Sequence, residues 1–368
     1  MALIDSMTGL SKGRRFRLPV PTARFPIKDR PGRIFCQNKV MKIKVDGWSF
    51  FLISLALLVN ADASLAASIS SSATPATTIT ANSSSGNSMA HKKGTSSGVF
   101  FDLPVTYNRK VSQWISYYQT NGRKWFREWL ERSTIYMPGI QKELQRAGMP
   151  QDLAYMAMIE SGFSTSATSH ANAVGPWQFI APTGNRYGLR SQWWIDERRD
   201  MKKSTIAAIR YMRDLYQEFG SWYLVAASYN MGENGLRRQI QKYRTKDFWQ
   251  LAALGALPAE TKDYVPKIIA AMMISKSPSL YGFRGYTKYD PLEYEVVSVP
   301  GGTNLSTLAD HLRVTRKSLK DLNSELILGY VPNQVDRHYI KIPRGASTMV
   351  SQYVEQMKNP RRVASGDY

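Results

Sequence analysis

Apolar residues recur at helical spacing from Val111 to about Ser275, and this periodicity is the feature that most restricts the fold. The first two groups are Val111, Trp114, Ile115 and Tyr118, followed by Trp125, Phe126, Trp129 and Leu130. Spacing of i, i+3 and i+4 places such side chains on one face of a helix. No comparable run of alternating apolar and polar residues, which would indicate a strand, occurs before Tyr294. We therefore predict one mostly α domain over residues 99–285.

Within this domain, the stretch STIAAIRYMRDLYQEFG (204–220) predicts a helix that begins at a Ser204 or Thr205 cap and ends at Gly220. The pattern changes after residue 285 and indicates a smaller second unit. An alternating strand, two short amphipathic helices and another strand are predicted at 294–299, 304–312, 315–323 and 338–343. We therefore predict a βααβ module over residues 293–344, followed by a frayed tail over 345–368.

The N-terminal residues 1–66 have the pattern of an extension followed by a secretory signal peptide. Lys42 and Lys44 precede an uncharged stretch, 47–59, and small residues follow at Ser64 and Ala66. The stretch is shorter than the roughly 20 residues that span a bilayer. Because signal peptides begin near the start of a chain, Met41 is the expected translation start. An uncleaved membrane anchor remains the alternative and would be the only membrane contact.

Export restricts the expected partners and location. We expect an exported protein in the periplasm or secreted, with residues 67–98 as a flexible linker rich in Ser and Thr. Without residues 1–66, the formal net charge falls from +21 to about +14 (38 Lys and Arg against 24 Asp and Glu). This basic charge suits an anionic cell-wall polymer or lipid surface, although a merely soluble basic surface explains it equally well. Export argues against nucleic acid as a partner. The single cysteine, Cys36, precedes the signal stretch, and the four histidines are scattered, so no disulfide, metal or cofactor is expected.

Glu160 stands at the end of the uncharged stretch from Leu153 to Ile159. A carboxylate in apolar surroundings costs free energy unless its pKa rises. Gly162 predicts the end of the helix, which lets the carboxyl face a cleft. A glutamic acid that is protonated near neutral pH is what the cleavage of a glycosidic bond requires. The alternative is an ordinary solvated glutamate at a helix end.

Three later stretches have compositions that suit a sugar-binding cleft. AVGPWQF (173–179) predicts a turn whose tryptophan ring could stack on a sugar face. AASYNMGENG (226–235) ends an apolar helix at Tyr229 and Asn230, and PAETKDYVPK (258–267) carries Glu260 and Tyr264.

The order Glu-Ser, Gly-x-Trp-Gln, Tyr-Asn-x-Gly and Glu-Thr-x-x-Tyr-Val, over about 105–285, resembles the soluble-lytic-transglycosylase type of peptidoglycan lyase, most nearly the membrane-bound lytic murein transglycosylase D subfamily. The resemblance implies a mostly α, lysozyme-like catalytic domain that cleaves the MurNAc-GlcNAc β-1,4 bond and forms 1,6-anhydroMurNAc ends. Glu160 would be the acid and then the base. Pro176 stands where this family usually has Leu or Ile, so the shape of the cleft is expected to differ there.

The resemblance also implies roles for seven other residues. The expected substrate-binding residues are Ser161, Ser169, Trp177, Gln178, Tyr229, Asn230 and Tyr264, of which Tyr264 would also orient the Glu160 carboxyl. The structural alternatives are a turn residue for Ser169, backbone caps for Gln178 and Asn230, and core residues with a satisfied hydroxyl for the two tyrosines. The stretch IDERRD (195–200) is expected to form a structural ion network, and Glu260 is expected at a helix end or in a salt bridge.

The module at 293–344 resembles a LysM domain, which implies binding to GlcNAc-containing glycans, although a module of this fold that has lost sugar affinity is the alternative. The expected partner of the whole chain is the glycan strand of peptidoglycan. Two other functions stay open: a goose-type-lysozyme-like hydrolase of the same bond, and a catalytically inactive wall-binding protein. The sequence leaves open endo or exo cleavage, own or foreign wall, and acetylated or deacetylated strands.

Overall fold

The computed structural model describes residues 99–358. The predicted N-terminal extension, signal peptide and linker, as well as residues 359–368, lie outside the described residues. None of the described helices is long and apolar enough to cross a membrane.

The first part of the described chain, residues 99–293, is mostly helical. Its α-helices are α1 (Arg109–Gln119), α2 (Arg123–Arg146), α3 (Ala154–Ser161), α4 (Ala181–Arg186), α5 (Met201–Phe219), α6 (Trp222–Met231), α7 (Glu233–Tyr243), α8 (Phe248–Ala253) and α9 (Ala259–Lys276). Short 3-10 turns precede α3 and α5, at Gln151–Leu153 and Glu197–Arg199. The apolar faces of these helices share one hydrophobic core. The predicted mostly α fold is confirmed for this part of the chain.

Helix α3 lies inside this core and packs against α2 and α9. Residues 154–158 are all buried, as expected for a helix that is apolar on every side. Gly162 ends the helix in the left-handed conformation, with φ of 56°. A β-carbon at this position would lie 2.2 Å from the Trp129 ring, so both the backbone and the packing require glycine.

Helix α5 begins earlier than the sequence pattern suggested. Asp200 is its N-cap and accepts from Lys203 N at 2.8 Å. The predicted caps Ser204 and Thr205 lie inside the helix, where their hydroxyls donate to Asp200 O and Met201 O. The prediction was wrong because the hydroxyls of Ser and Thr can also bond to a preceding carbonyl inside a helix, so these residues do not always mark its start.

The C-terminal module, residues 294–358, contains β1 (Glu295–Pro300), α10 (Leu305–His311), α11 (Arg316–Leu322), β2 (Arg337–Ile342) and α12 (Ser347–Lys358). The strands pair antiparallel, from Glu295 opposite Ile342 to Pro300 opposite Arg337. The first four elements follow one another in the predicted βααβ order. Residues 347–358 are not frayed as predicted, because α12 buries Val350 and Tyr353 Oη lies 2.6 Å from Thr307 Oγ1.

Candidate active site

Glu160 occupies the last turn of α3, one residue before the helix ends at Ser161. Its side chain is half-buried, so the carboxyl group lies at the boundary between the core and the surface. Tyr264, from α9, donates its hydroxyl hydrogen to Glu160 Oε1 at 2.5 Å. The tyrosine is itself 97% buried, with 3% of its surface exposed, so packing fixes the direction of this hydrogen bond. The contact expected between these two residues is therefore present.

The pKa of Glu160 is raised to about 7, chiefly because burial disfavours the charged carboxylate. The hydrogen bond from Tyr264 lowers the pKa, the carboxylate of Glu260 raises it, and the ammonium of Lys267 lowers it. The position of Glu160 in the last turn of a helix, where the backbone dipole disfavours negative charge, acts in the same direction as burial. A substantial fraction of Glu160 is therefore protonated at neutral pH.

Helix α9 brings three of these groups to one face. Glu260, Tyr264 and Lys267 are spaced by four and three residues, which places them above one another along a helix. Glu260 is exposed at the start of α9, as expected for a helix-end residue, and Lys267 Nζ lies 4.6 Å from the centre of the Trp114 ring. The electrostatic effect of Glu260 and Lys267 on Glu160 was not predicted, although the helical spacing from Tyr264 could have indicated it.

The active-site turn, residues 172–179, is stabilised by main-chain contacts. Val174 N donates to Phe179 O at 3.0 Å, and Gly175 N donates to Ala167 O at 2.9 Å. Two non-glycine residues of the turn, Asn172 and Gln178, have left-handed backbones, with φ of 57° and 49°. Such conformations are uncommon outside glycine and tend to occur at functional sites. The strained backbone turns Gln178 so that its Nε2 donates to Gly175 O at 2.9 Å.

Trp177 does not offer its ring to a ligand. The side chain is completely buried, at 0% exposure, and its Nε1 donates to Thr205 Oγ1 at 2.9 Å inside the core. This burial contradicts the predicted sugar-stacking role, because a sugar ring cannot reach a ring face that is covered on all sides. The contribution of Trp177 to the site is its backbone carbonyl, which accepts from Tyr229 Oη at 2.8 Å.

Ser161 and Ser169 also make structural contacts. Ser161 is buried, and its hydroxyl donates to Pro176 O at 2.9 Å, which joins the end of α3 to the active-site turn. Burial contradicts a direct substrate contact for Ser161. Ser169 Oγ accepts from Ala173 N at 3.1 Å, as a turn residue does, and within residues 99–358 no hydrogen bond joins it to Glu160.

Tyr229 and Asn230 lie at the end of α6 and are half-buried. Burial raises the pKa of Tyr229, so its hydroxyl stays protonated and able to donate to Trp177 O. Asn230 Oδ1 accepts from Thr261 Oγ1 at 2.7 Å, and its Nδ2 lies 3.4 Å from Glu260 Oε1. Asn230 therefore connects α6 to the start of α9 beside Glu160's helix.

The IDERRD stretch forms the predicted ion network. Arg198 donates two hydrogen bonds of 2.9 Å to the carboxylate of Asp196. Glu197 pairs with both Arg190 and Lys203, at 2.7 and 2.6 Å, and these contacts lower its pKa to about 2 despite the opposing effect of burial. A carboxylate held so firmly in the charged form is suited to structure rather than proton transfer. Over the described part of the chain, no group of three or more His, Cys, Asp or Glu side chains could hold a metal ion.

The comparisons with known proteins point to the region around Glu160. Residues 137–252 match a family model described as "Transglycosylase SLT domain". This range contains Glu160, the active-site turn and Asn230, and it ends before α9 and Tyr264. The matched region agrees with the family resemblance read from the sequence motifs.

Curated relatives match over part of their length. The chain is 34% identical over 218 residues to the membrane-bound lytic murein transglycosylase D of Escherichia coli (strain K12), a match that covers 58% of this chain and 47% of that protein. It is 35% identical over 116 residues to a putative tributyltin chloride resistance protein of Alteromonas sp. (strain M-1), covering 31% of this chain and 56% of the relative. The chain thus spans about half the length of the curated relatives it matches.

Among solved structures, the 70 kDa soluble lytic transglycosylase of Escherichia coli aligns with a TM-score of 0.35 and 20% identity, covering 46% of this chain and 30% of that one. A lytic transglycosylase from Pseudomonas aeruginosa aligns with a TM-score of 0.33 and 18% identity, covering 39% and 24%.

Proposed function

We propose that this protein is a peptidoglycan lytic transglycosylase that cleaves the MurNAc-GlcNAc β-1,4 bond with Glu160 as its catalytic residue. The observation that carries the proposal is the half-buried Glu160 carboxyl, whose pKa is about 7 and whose orientation is fixed by Tyr264. The match of residues 137–252 to the transglycosylase family model supports the same reaction class.

The protonation state of Glu160 suits both halves of this reaction. As an acid, it donates its proton to the glycosidic oxygen while the bond from that oxygen to the MurNAc anomeric carbon breaks. The N-acetyl oxygen of MurNAc attacks the same carbon and holds it as a cyclic intermediate. The Glu160 carboxylate then removes the proton of the MurNAc C6 hydroxyl, whose oxygen displaces the N-acetyl oxygen. The product is a 1,6-anhydro sugar, Glu160 has regained its proton, and no water is consumed.

Gln178 and Asn230 are the residues that we propose to bind the sugar subsites. Both are half-buried and polar and lie on elements joined to the Glu160 helix, Gln178 through the active-site turn and Asn230 through α9. Tyr229 acts through Trp177 O and shapes the same turn. We assign Ser161 and Trp177 to the support of this cleft, because both side chains are buried, and Ser169 to the support of the turn, where its hydroxyl accepts from Ala173 N.

A hydrolase of the same bond is the second candidate, and Glu260 is the observation that favours it. Inverting glycosidases use a second carboxylate as the base that activates water. Glu260 is exposed and its charge raises the pKa of Glu160, so it is the carboxylate of the described residues that would take this role.

The test of the proposal is mass spectrometry of products released from purified peptidoglycan. We expect anhydro-ended muropeptides from the wild type and none from Glu160→Gln, with the fold of the variant retained by circular dichroism. Reducing ends, heavier by two hydrogens and one oxygen, would establish the hydrolase, and their loss in Glu260→Gln would identify the base. Retained binding without any product from the wild type would favour a wall-binding protein that is not an enzyme.

We further propose that the C-terminal module is a LysM-type unit that binds GlcNAc-containing strands, and that the protein is exported to the periplasm or cell surface. The βααβ order and the signal-peptide pattern in residues 41–66 support these two proposals. Glu160→Gln in the full chain provides the binding test, because an inactive enzyme should sediment with peptidoglycan and be released by soluble GlcNAc oligomers. Failure to sediment would remove the glycan-binding role.

A further inference from the structure

The C-terminal module shares its hydrophobic core with a segment from the helical part of the chain. Trp194 and Ile195, which lie between α4 and α5, are 5% and 0% exposed. They pack in the same cluster as buried residues of β1, α10, α11 and β2. Residues 194–200, here called the bridging segment, therefore belong to the helical part by sequence and to the module by packing.

Backbone contacts fix the bridging segment to the module. Asp196 N donates to Glu325 O at 2.8 Å, and Ile327 N donates to Trp194 O at 3.1 Å, with Ile195 opposite Leu326 in an antiparallel bridge. Ser324 Oγ adds a hydrogen bond of 2.9 Å to Arg199 O. These contacts resemble those inside one domain more than those of two units joined by a linker.

A buried ion cluster lies at the same junction. Lys341 Nζ, from β2, is 2.6 Å from Glu325 Oε1 and 2.7 Å from Asp200 Oδ2. The carboxylate side chains are only 2% and 1% exposed and the lysine side chain 12%. Two buried carboxylates without this ammonium would be strongly unfavourable, so the cluster requires the module and the bridging segment to stay together.

The bridging segment also supports the active-site turn. Arg198 Nη1 donates to both Asn172 O and Phe179 O at 3.1 Å, which holds the two ends of the turn. Gly175 lies so close to Arg198 that a β-carbon there would be 1.9 Å from its carbonyl oxygen. The active-site turn also contacts α3, because the Ser161 hydroxyl donates a hydrogen bond to Pro176 O.

We infer that the C-terminal module braces the active-site turn through the bridging segment, and that Lys341 is a positioning residue for the reaction. The module then acts on turnover itself, in addition to any contact with glycan. A module that served only as a tether would raise the local concentration of wall polymer and would leave the cleavage of short soluble substrates unchanged.

Amide hydrogen exchange of the full-length protein tests the brace without relying on catalysis. Lys341→Met should increase the exchange rate of the turn amides Val174 and Gly175 by roughly 3- to 30-fold, the size usual for mutations that couple two sites. Amides in the buried centre of α2 should exchange as in the wild type. Faster exchange confined to the C-terminal module, or equal acceleration throughout the protein, would overturn the inference.

Two further variants keep the test informative if Lys341→Met does not fold. Ser324→Ala removes only the hydrogen bond to Arg199 O and should increase turn exchange in the same direction by a smaller factor. The matched control is Asp310→Asn, which breaks the exposed Arg316–Asp310 pair on the module and touches no residue of the bridging segment. If Asp310→Asn accelerated amide exchange in the active-site turn as much as Ser324→Ala, the module would not act on the turn specifically through the bridging segment.

Kinetics with a short soluble GlcNAc-MurNAc tetrasaccharide give a second readout, which rests on the proposed function. Lys341→Met should lower kcat by roughly tenfold, since a small displacement of a positioning group reduces turnover strongly, with a smaller change in KM. Lys341→Arg, which keeps the charge, should restore much of the rate. Loss of activity on intact peptidoglycan alone would support the tether and overturn the brace. Absence of product from the wild type would reject the proposed function, while the exchange result would still decide the brace.

Discussion

Tyr264 donates a 2.5 Å hydrogen bond to Glu160 across 104 residues of sequence and thereby joins α9 to the end of α3. The tyrosine is almost completely buried, whereas the glutamate reaches the surface. A fixed donor thus meets the carboxyl group of a residue that is only partly buried. The hydrogen bond limits the orientations of the Glu160 carboxyl. It also lowers the pKa of Glu160, but burial raises this pKa by a larger amount.

Tyr264→Phe should move the alkaline limb of the pH–rate profile upward. The hydroxyl stabilises the charged carboxylate, so its removal leaves Glu160 protonated to higher pH than the wild-type value of about 7. We also expect the rate at the optimum to fall by about 10- to 100-fold, because the carboxyl loses its orientation. Initial rates of muropeptide release between pH 5 and pH 9 provide the measurement. An unchanged limb would mean that Glu160 is not the titrating acid.

Glu160→Gln should make the protein more stable than the wild type at pH 8. The folded state keeps a proton on Glu160 up to pH about 7, whereas the unfolded chain releases it near 4.5. The free energy of unfolding of the wild type therefore decreases as the pH rises between these values, by roughly 3 kcal/mol in total. The neutral amide avoids this loss. Urea denaturation at pH 4 and pH 8 measures the free energy of unfolding of both proteins. If the difference in this free energy between the variant and the wild type does not grow with pH, the raised pKa of Glu160 is contradicted.

Gly175→Ala should disrupt the active-site turn. The backbone φ is 82° and the new β-carbon would lie 1.9 Å from Arg198 O, so strain and a steric clash combine. We expect a loss of more than about 2 kcal/mol in the free energy of unfolding, together with loss of activity. Gly255→Ala is the matched control, with φ of 72° and open space around the added carbon. Gly255→Ala should lower the free energy of unfolding by about 1 kcal/mol and leave activity unchanged. If both variants lose the same free energy of unfolding, the clash with Arg198 O is unimportant.

Trp177→Phe should reduce stability rather than substrate affinity. The change removes the hydrogen bond to Thr205 and leaves a gap in the core, which costs roughly 1–3 kcal/mol. Trp193→Phe serves as the control, because that ring is 62% exposed and its replacement should alter the free energy of unfolding little. Chemical denaturation and KM for a short oligosaccharide separate the two roles. A raised KM with full stability in Trp177→Phe would restore the stacking hypothesis.

Several features of the site followed directly from the sequence. The uncharged stretch before Glu160 predicted a buried helix, and Gly162 predicted where that helix ends. Arg198 and Arg199, which stand between acidic residues in IDERRD, predicted an ion network. These predictions succeeded because each depends on residues that are close together in the chain, where helical periodicity, capping and charge pairing act.

The sequence was a poor guide to which polar or aromatic side chains face the cleft. Trp177 and Ser161 were expected to contact the substrate, but both side chains are buried. Their sequence motifs are compatible with a buried side chain as well as with one that faces the cleft. The start of α5 and the helix at 347–358 were also missed. The latter packs against β1 and α10, which lie far from it in the chain.

The sequence by itself determined the mostly helical character of residues 99–285, the βααβ order of the module and the glutamate at the end of an apolar helix. Only the tertiary structure decided that Tyr264 reaches this glutamate, that Trp177 lies in the core, and that Lys341 joins the module to the bridging segment. The physical reason is that secondary structure responds to neighbours within a few residues. Burial, pKa and buried ion pairing depend instead on groups that the fold brings together from distant parts of the chain.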